Sequence, residues 1–135
     1  MAVKLSTAVR NARLDAIETA VGTSAVLKIR TGSPPATVAT ADSGTVLATL
    51  NLPSDWLAAA SGGSKAKSGT WEDTSADSAG TAGHFRVYAS DGTTAHIQGT
   101  VTATGGGGDM TLDNAVIAAG QSITITGFTL TDGNA

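Results

Sequence analysis

The last part of the chain alternates Ser or Thr with large apolar residues over residues 122–131, a period of two that is typical of a β-strand. One face of this segment would carry only apolar side chains, namely those of Ile123, Ile125, Phe128 and Leu130. The alternation slips by one residue at Gly127, which predicts a β-bulge there. A strand with one apolar face packs that face against a second layer, so the segment favours half of a β-sandwich.

Length and composition limit what the rest of the chain can be. The chain has 135 residues and no cysteine, which fits one domain and excludes disulfides, thiolate metal sites and thiol catalysis. Charged residues make up 14% and aromatic residues 4%, so few large side chains are available for a core. We therefore expect further stabilisation from other copies of the chain or from a larger assembly.

One helix is predicted, close to the N-terminus. Ser6 is a suitable N-cap and Gly22 a suitable stop, and the apolar residues between them recur with helical spacing, so we predict a helix over residues 7–21. The chain then changes to strand patterns. We therefore divide it into an N-terminal helical arm, residues 1–22, and a β domain, residues 23–135.

The β domain contains short strand patterns separated by turn residues. They lie at residues 27–30, 45–52, 65–71, 84–89, 95–101, 110–112 and 122–131. Ser90-Asp-Gly92 predicts a tight hairpin between two of them. Trp56, after the strand that Pro53 ends, is predicted to close one end of the core. The pattern predicts a mainly β fold, a single antiparallel β-sandwich or jelly roll of about seven or eight strands with one N-terminal α-helix.

The charge distribution is uneven although the net charge is only −3. Residues 1–30 hold five basic and two acidic residues, a net charge of +3, which leaves −6 for the remainder. The weakly negative net charge argues against a nucleic-acid partner. The basic excess at the N-terminus could instead face an acidic protein surface, although ordinary solvated charges explain it as well. No apolar run reaches the roughly 18 to 20 residues of a membrane span, and we predict no membrane partner and no secretory signal.

Two histidines are the first candidates for chemistry. His84 and His96 lie on neighbouring predicted strands and could share a metal ion or titrate as a pair. The alternation of the strand instead places His84 with Arg86 and Tyr88, opposite the apolar residues, which favours a solvated sheet face.

Acidic residues form two further candidate groups. Glu72, Asp73 and Asp77 lie in a polar segment, residues 72–83, that could bind calcium but lacks the ordered ligand spacing of an EF-hand. Asp109 and Asp113 could act as acid and base, yet no apolar pocket is predicted around them. We interpret the first group as a solvated loop and the second as turn residues.

The remaining motifs do not predict an enzyme. Residues 105–108 are four glycines without the Lys-Ser/Thr pair of a phosphate-binding loop, and we interpret them as a linker. No serine lies in a Gly-x-Ser-x-Gly turn. Trp56, Trp71 and Tyr88 could form a sugar-stacking platform, but packing in the core or a subunit interface is the favoured role of the two tryptophans.

Several blocks of the sequence resemble small virion structural proteins of tailed bacteriophages. The helix reads Leu5-Ser-Thr-Ala-Val-Arg-Asn-Ala12, and residues 27–36 read Leu-Lys-Ile-Arg-Thr-Gly-Ser-Pro-Pro-Ala. The other blocks are 44–48, 73–86 and 110–130. The resemblance spans nearly the whole chain and implies a component of the phage particle, made in the host cytoplasm and located in the virion.

Within the virion, the resemblance favours a capsid decoration, or cement, protein. Such a protein binds the major capsid protein and copies of itself, as a dimer or trimer, and needs no catalytic residue, cofactor or metal. The residues expected to contact the partner are Lys4, Arg10 and Arg13 through their charge, and Trp56 and Trp71 as apolar anchors.

Two other functions stay open. A tail component, either a tube or tip subunit or a fibre module, would present residues 72–83 and 105–108 to a host receptor. A carbohydrate-binding β-sandwich module would use its aromatic side chains instead.

Overall fold

The computed structural model describes residues 3–135, which form one helix and ten strands. The helix α1 spans Thr7–Val21. The strands are β1 (Val26–Thr31), β2 (Val46–Asn51), β3 (Ser64–Ala66), β4 (Trp71–Asp73), β5 (Gly80–Tyr88), β6 (Ala95–Ala103), β7 (Met110–Leu112), β8 (Val116–Ile117), β9 (Ile123–Ile125) and β10 (Thr129–Thr131). The predicted mainly β fold with one N-terminal helix is confirmed.

The helix α1 begins and ends where the sequence predicts. The Ser6 hydroxyl accepts a hydrogen bond from the backbone N–H of Val9 at 3.3 Å. Gly22 follows the last turn with a φ of 92°, a conformation that glycine adopts without steric cost and that ends the helix. Leu14 and Val21 are the buried residues of α1, so one stripe of the helix faces the domain.

One main sheet organises the β domain. Its strand order is β2-β1-β5-β6-β7, and β8 pairs with the start of β5. The first four of these strands are antiparallel to their neighbours, whereas β7 runs parallel to β6, with Val101 opposite Met110. The pairs β3–β10 and β4–β9 form two small antiparallel sheets. The prediction of a purely antiparallel fold is therefore wrong at β7.

The four glycines at 105–108 belong to a tight return loop between β6 and β7. A Cβ atom at Gly108 would lie 2.8 Å from the Thr102 hydroxyl, so the loop approaches β6 too closely for a side chain. Next to it, the Asp109 carboxylate accepts hydrogen bonds from the N–H and hydroxyl of Thr100, at 2.9 and 3.0 Å. The interpretation of this segment as a linker is wrong, because the loop is packed on the strand it follows.

The final alternating segment forms two strands. β9 pairs with β4, and β10 pairs with β3. The chain changes its partner strand between Ile125 and Thr129, so the slip at Gly127 is a break between strands and the predicted bulge is wrong. The inward orientation of Ile123, Ile125 and Phe128 is confirmed, since all three are buried.

Four aromatic rings form the centre of the core. The ring centroids of Trp56 and Trp71 are 6.0 Å apart, and those of Trp71 and Phe128 are 5.6 Å apart. Phe85 meets Phe128 edge-on at 5.7 Å. The Trp56 indole N–H donates to the Gly22 carbonyl at 2.9 Å, which ties the end of α1 to this core.

Candidate interaction surfaces

Lys65 on β3 anchors α1 to the β domain. Its buried ammonium group lies 2.7 Å from the Asp15 carboxylate and 2.9 Å from that of Glu18, and it also donates to the Ala58 carbonyl. Burial lowers the pKa of Lys65, but the hydrogen bonds and charges of the two carboxylates outweigh it, so the pKa is raised. The hydrogen bond from Lys65 in turn lowers the pKa of Asp15. Both groups therefore stay charged at neutral pH.

The C-terminal segment holds the other side of the helix. The Arg10 guanidinium donates to the Asp132 carbonyl at 3.1 and 2.9 Å, and Arg13 Nε lies 3.1 Å from the Asp132 carboxylate. The Leu5 N–H donates to the Asn134 carbonyl at 2.7 Å. The helix thus packs on its own domain, and both arginines expected to contact a partner already have acceptors within the chain.

Four outward side chains of the N-terminal segment form what we call the N-terminal surface: Val3, Lys4, Val9 and Arg13. Val3 is 72% exposed and Val9 45% exposed. Lys4 is exposed, and the Arg13 side chain keeps 56% of its surface accessible despite its ion pair. Among the predicted contact residues, Lys4 and Arg13 are therefore the ones available to a partner.

The two tryptophans have no accessible surface. Trp56, Trp71 and Tyr88 are each 0% exposed. The expectation that Trp56 and Trp71 anchor a partner is wrong, because both rings pack inside the core, as the favoured interpretation predicted. A sugar-stacking platform needs an exposed ring face, which none of the three residues offers.

Residues 72–83 are packed against β2. The Asp73 carboxylate accepts a hydrogen bond from the Thr49 N–H at 2.9 Å, and the Asp77 carboxylate accepts one from the Thr49 hydroxyl at 2.7 Å. These carboxylates cap an edge strand of the main sheet. The prediction of a solvated loop is correct for Glu72 and Asp77, which are exposed. It is wrong for the ends of the segment, which belong to β4 and β5, and for the buried Ala76. In the part of the chain that the structure describes, no three His, Asp or Glu residues are grouped to hold a metal ion.

The second face of β1 and β5, which we call the polar face, carries Arg30, His84, Arg86 and Tyr88. The alternation places these side chains opposite the core, as the sequence predicts. The predicted solvent exposure is wrong, because all four are buried. His84 lies opposite Thr100, whereas Tyr88 at the other end of β5 lies opposite Ala95, beside the exposed His96. The two histidines therefore do not form a pair.

Residues 32–44 form a loop over the polar face, which we call the cover loop. Two hydrogen bonds between Thr31 and Thr45, at 3.1 and 2.9 Å, close its base. Polar-face side chains donate to four of its carbonyl groups at 2.7 to 3.0 Å: Arg86 to Thr37 and Thr40, Gln98 to Pro35, and His84 to Gly32. The sheet thus holds this loop mainly through side-chain donors.

Asp42 is the carboxylate that joins the cover loop to the polar face. It accepts hydrogen bonds from Arg30, Arg86 and the Tyr88 hydroxyl, each at 2.8 Å. Burial raises the pKa of Asp42, but these hydrogen bonds and the two guanidinium charges outweigh it, so the pKa is lowered. Burial and the hydrogen bond to Asp42 raise the pKa of Tyr88.

Sequence reasoning missed both the cover loop and Asp42. Asp42 lies in a stretch of small polar residues without periodicity, so its sequence gives no indication of a structural role. A usable signal was the pair of arginines on β1 and β5, since Arg30 and Arg86 alternate with core residues and need an acceptor if their face is covered.

No described helix is long and apolar enough to cross a membrane. No protein-family profile, curated protein or solved structure matches this chain at a significant level. A function therefore has to be inferred from the surfaces described above and from the sequence.

Proposed function

We propose that this protein is a non-enzymatic structural component of a tailed-bacteriophage virion, a capsid decoration protein that binds the major capsid protein in the assembled shell. The observation that carries the proposal is the N-terminal surface, where Val3 and Val9 are exposed beside Lys4 and Arg13. Apolar side chains rimmed by charges of one sign can dock on a partner surface of the opposite charge. The sequence block of α1 also belongs to the resemblance to virion proteins.

The attachment of α1 supports this role. Lys65, Arg10 and Arg13 fix the helix to the β domain from two sides, so a partner that binds the N-terminal surface binds the whole domain. A preformed surface also loses little conformational entropy on binding. The sandwich or jelly-roll architecture of cement proteins belongs to the same proposal, with the β3–β10 and β4–β9 pairs as parts of a second layer.

The proposed mechanism is mass action. A folded protein that binds the assembled shell but not free capsid subunits stabilises the shell by its binding free energy, multiplied by the number of copies bound. We further propose that the protein acts as a dimer or trimer, since its low aromatic content limits what one copy can bury. No residue has to react.

The test is binding to purified shells of the major capsid protein encoded with this chain. Co-sedimentation should give a copy number comparable to that of the capsid protein, and Val9→Asp should reduce binding at least about tenfold, since it places a charge in the apolar contact. An aspartate in the first turn of α1 is compatible with the helix dipole, so the variant should still fold.

The matched control is Val116→Asp. Val116 is a second exposed valine, with 60% of its surface accessible, and it lies on β8, which pairs with β5. It does not belong to the N-terminal surface, so this variant should bind shells as well as the unmodified protein does. Equal loss in both variants, or no binding at all, would contradict the proposal. A copy number in virions that is a small multiple of three or six would assign the protein to the tail instead.

A further inference from the structure

The polar face has more positive charge than the cover loop neutralises. Lys28, Arg30 and Arg86 lie on this face, with Lys28 opposite Arg86 in the register of β1 and β5. Asp42 is the single charged residue among residues 32–44. Three cations therefore face one carboxylate, in a protein whose net charge is −3. This excess gives the face an affinity for further negative charge.

The contacts of the cover loop show what chemistry the face recognises. Its bound groups are backbone carbonyl oxygens and one carboxylate, held by guanidinium, amide, imidazole and phenol donors. These are the acceptors that an irregular or extended peptide with acidic side chains presents. The face thus holds a segment of its own chain through the polar groups that any polypeptide carries.

The face also has hydrogen-bonding capacity that the cover loop does not use. Arg30 Nε and His84 Nε2 are buried and have no hydrogen-bond partner among residues 3–135. Arg30 lies opposite His84 in the pairing of β1 with β5, so the two unpartnered atoms belong to neighbouring side chains. Both side chains are more than nine-tenths buried. Arg30 Nε is a donor, whereas in the tautomer that donates from Nδ1 to the Gly32 carbonyl the Nε2 atom of His84 is an acceptor. A polypeptide presents both carbonyl acceptors and N–H donors, and one that satisfies these atoms recovers the cost of burying them unpaired.

The cover loop is held on the face by hydrogen bonds, with little apolar packing. None of its residues is buried, and its partly buried apolar residues are Pro34, Pro35 and Val38. Its base is closed by the hydrogen bonds between Thr31 and Thr45, so the loop can open without separating β1 from β2. Compact loops with joined ends and little apolar anchoring are among the least stable parts of a fold.

We infer that the polar face is a binding surface for an acidic, extended polypeptide segment of a partner, and that the cover loop occupies this surface in the free protein and is displaced on binding. The groups held in the free protein are backbone carbonyls and one carboxylate, the acceptors of a polypeptide, and they favour a polypeptide over a nucleic acid. The inference concerns the purified protein and does not depend on the proposed function.

The test measures binding of a fluorescent hexaglutamate peptide at low ionic strength, with hexaglutamine as the uncharged control. Asp42→Asn removes the carboxylate that competes with the peptide, so affinity for hexaglutamate should rise roughly tenfold as the open fraction increases. Adding Arg86→Gln to Asp42→Asn should abolish the gain. Hydrogen exchange should be faster in residues 37–44 of Asp42→Asn and unchanged in β1 and β5.

A second variant keeps the test decisive if Asp42→Asn folds poorly. Pro34→Gly with Pro35→Gly loosens the cover loop through its conformational freedom and leaves every polar-face side chain in place. It should also bind hexaglutamate more tightly than the unmodified chain. Equal affinity in all variants, equal binding of hexaglutamine, or stronger binding of a single-stranded oligonucleotide than of hexaglutamate would overturn the inference.

Discussion

The two faces of β1 and β5 are buried to a similar extent by different means. On the core face, Ile29 and Phe85 are buried among other apolar side chains. On the polar face, Arg30 and Arg86 are also buried, at 7% and 2% exposure, yet they are covered by a loop none of whose residues is buried. Packing on the core face joins several strands, whereas the polar face holds one loop through individual hydrogen bonds. Destabilising the core face should therefore unfold the whole domain, whereas destabilising the polar face should release only the cover loop.

The core face should give the largest effect. Trp71→Ala removes a fully buried ring that contacts Trp56 and Phe128, so the free energy of unfolding should fall by about 3–5 kcal/mol. Urea denaturation followed by circular dichroism measures this loss. Thr124→Ala on the exposed side of β9 is the control and should change stability by less than about 0.5 kcal/mol. A loss below 1 kcal/mol in Trp71→Ala would mean that the rings do not form one core.

A substitution on the polar face should give the second largest loss of stability. Arg86→Met keeps most of the side-chain volume but removes the donors to Asp42, Thr37 and Thr40, so stability should fall by about 2–4 kcal/mol. Hydrogen exchange should show the main change in the cover loop. An equal change in β9 and β10 would contradict the view that this face fails locally.

Acid should weaken the polar face before the core. The folded-state pKa of Asp42 lies below its usual 3.8, so its stabilising contribution is complete well above pH 3.8 and is lost as the pH falls through the folded-state pKa. The protection of residues 37–44 against hydrogen exchange, relative to the intrinsic exchange rate at each pH, should therefore fall in acid. Asp42→Asn has no such group, so its stability difference from the unmodified chain should shrink as the pH falls. A difference that is constant down to pH 3 would exclude Asp42 as the titrating group.

The success of sequence reasoning followed the same division between the faces. Periodicity correctly identified α1 and the inward residues Phe85, Val87, Ile123 and Ile125, because apolar side chains report burial directly. It also located the hairpin at Ser90-Asp-Gly92, which joins β5 to β6. It did not reveal that β7 runs parallel to β6, because the return loop depends on contacts between glycines and Thr102.

The candidate sites were predicted less well. Arg86 and His84 have the sequence pattern of a solvated face, and their burial depends on a loop whose own sequence has no periodicity. Of the five residues expected to contact a partner, Trp56 and Trp71 are in the core and Arg10 binds the Asp132 carbonyl. Charge and aromatic character identify residues that bind strongly, but they do not tell whether the acceptor lies in the same chain.

The smallest expected effect compares Lys28 on the polar face with Lys67, which follows β3 and lies beside the ring of Trp71. Lys28 Nζ lies 5.1 Å from the Tyr88 ring centroid and donates to the Gly92 carbonyl, whereas Lys67 Nζ lies 5.7 Å from the Trp71 ring and donates to a carbonyl only two residues away. Lys28→Met should lower the free energy of unfolding by about 0.5–1 kcal/mol, and Lys67→Met should lower it less, because Lys28 also joins β1 to the distant β5–β6 turn. Urea denaturation of both variants measures the two losses of stability. If Lys67→Met lowers the free energy of unfolding more than Lys28→Met does, the contact of Lys67 with the Trp71 ring is worth more than the hydrogen bond from Lys28 to Gly92. The stability of the polar face would then come from its contacts with the cover loop and not from Lys28.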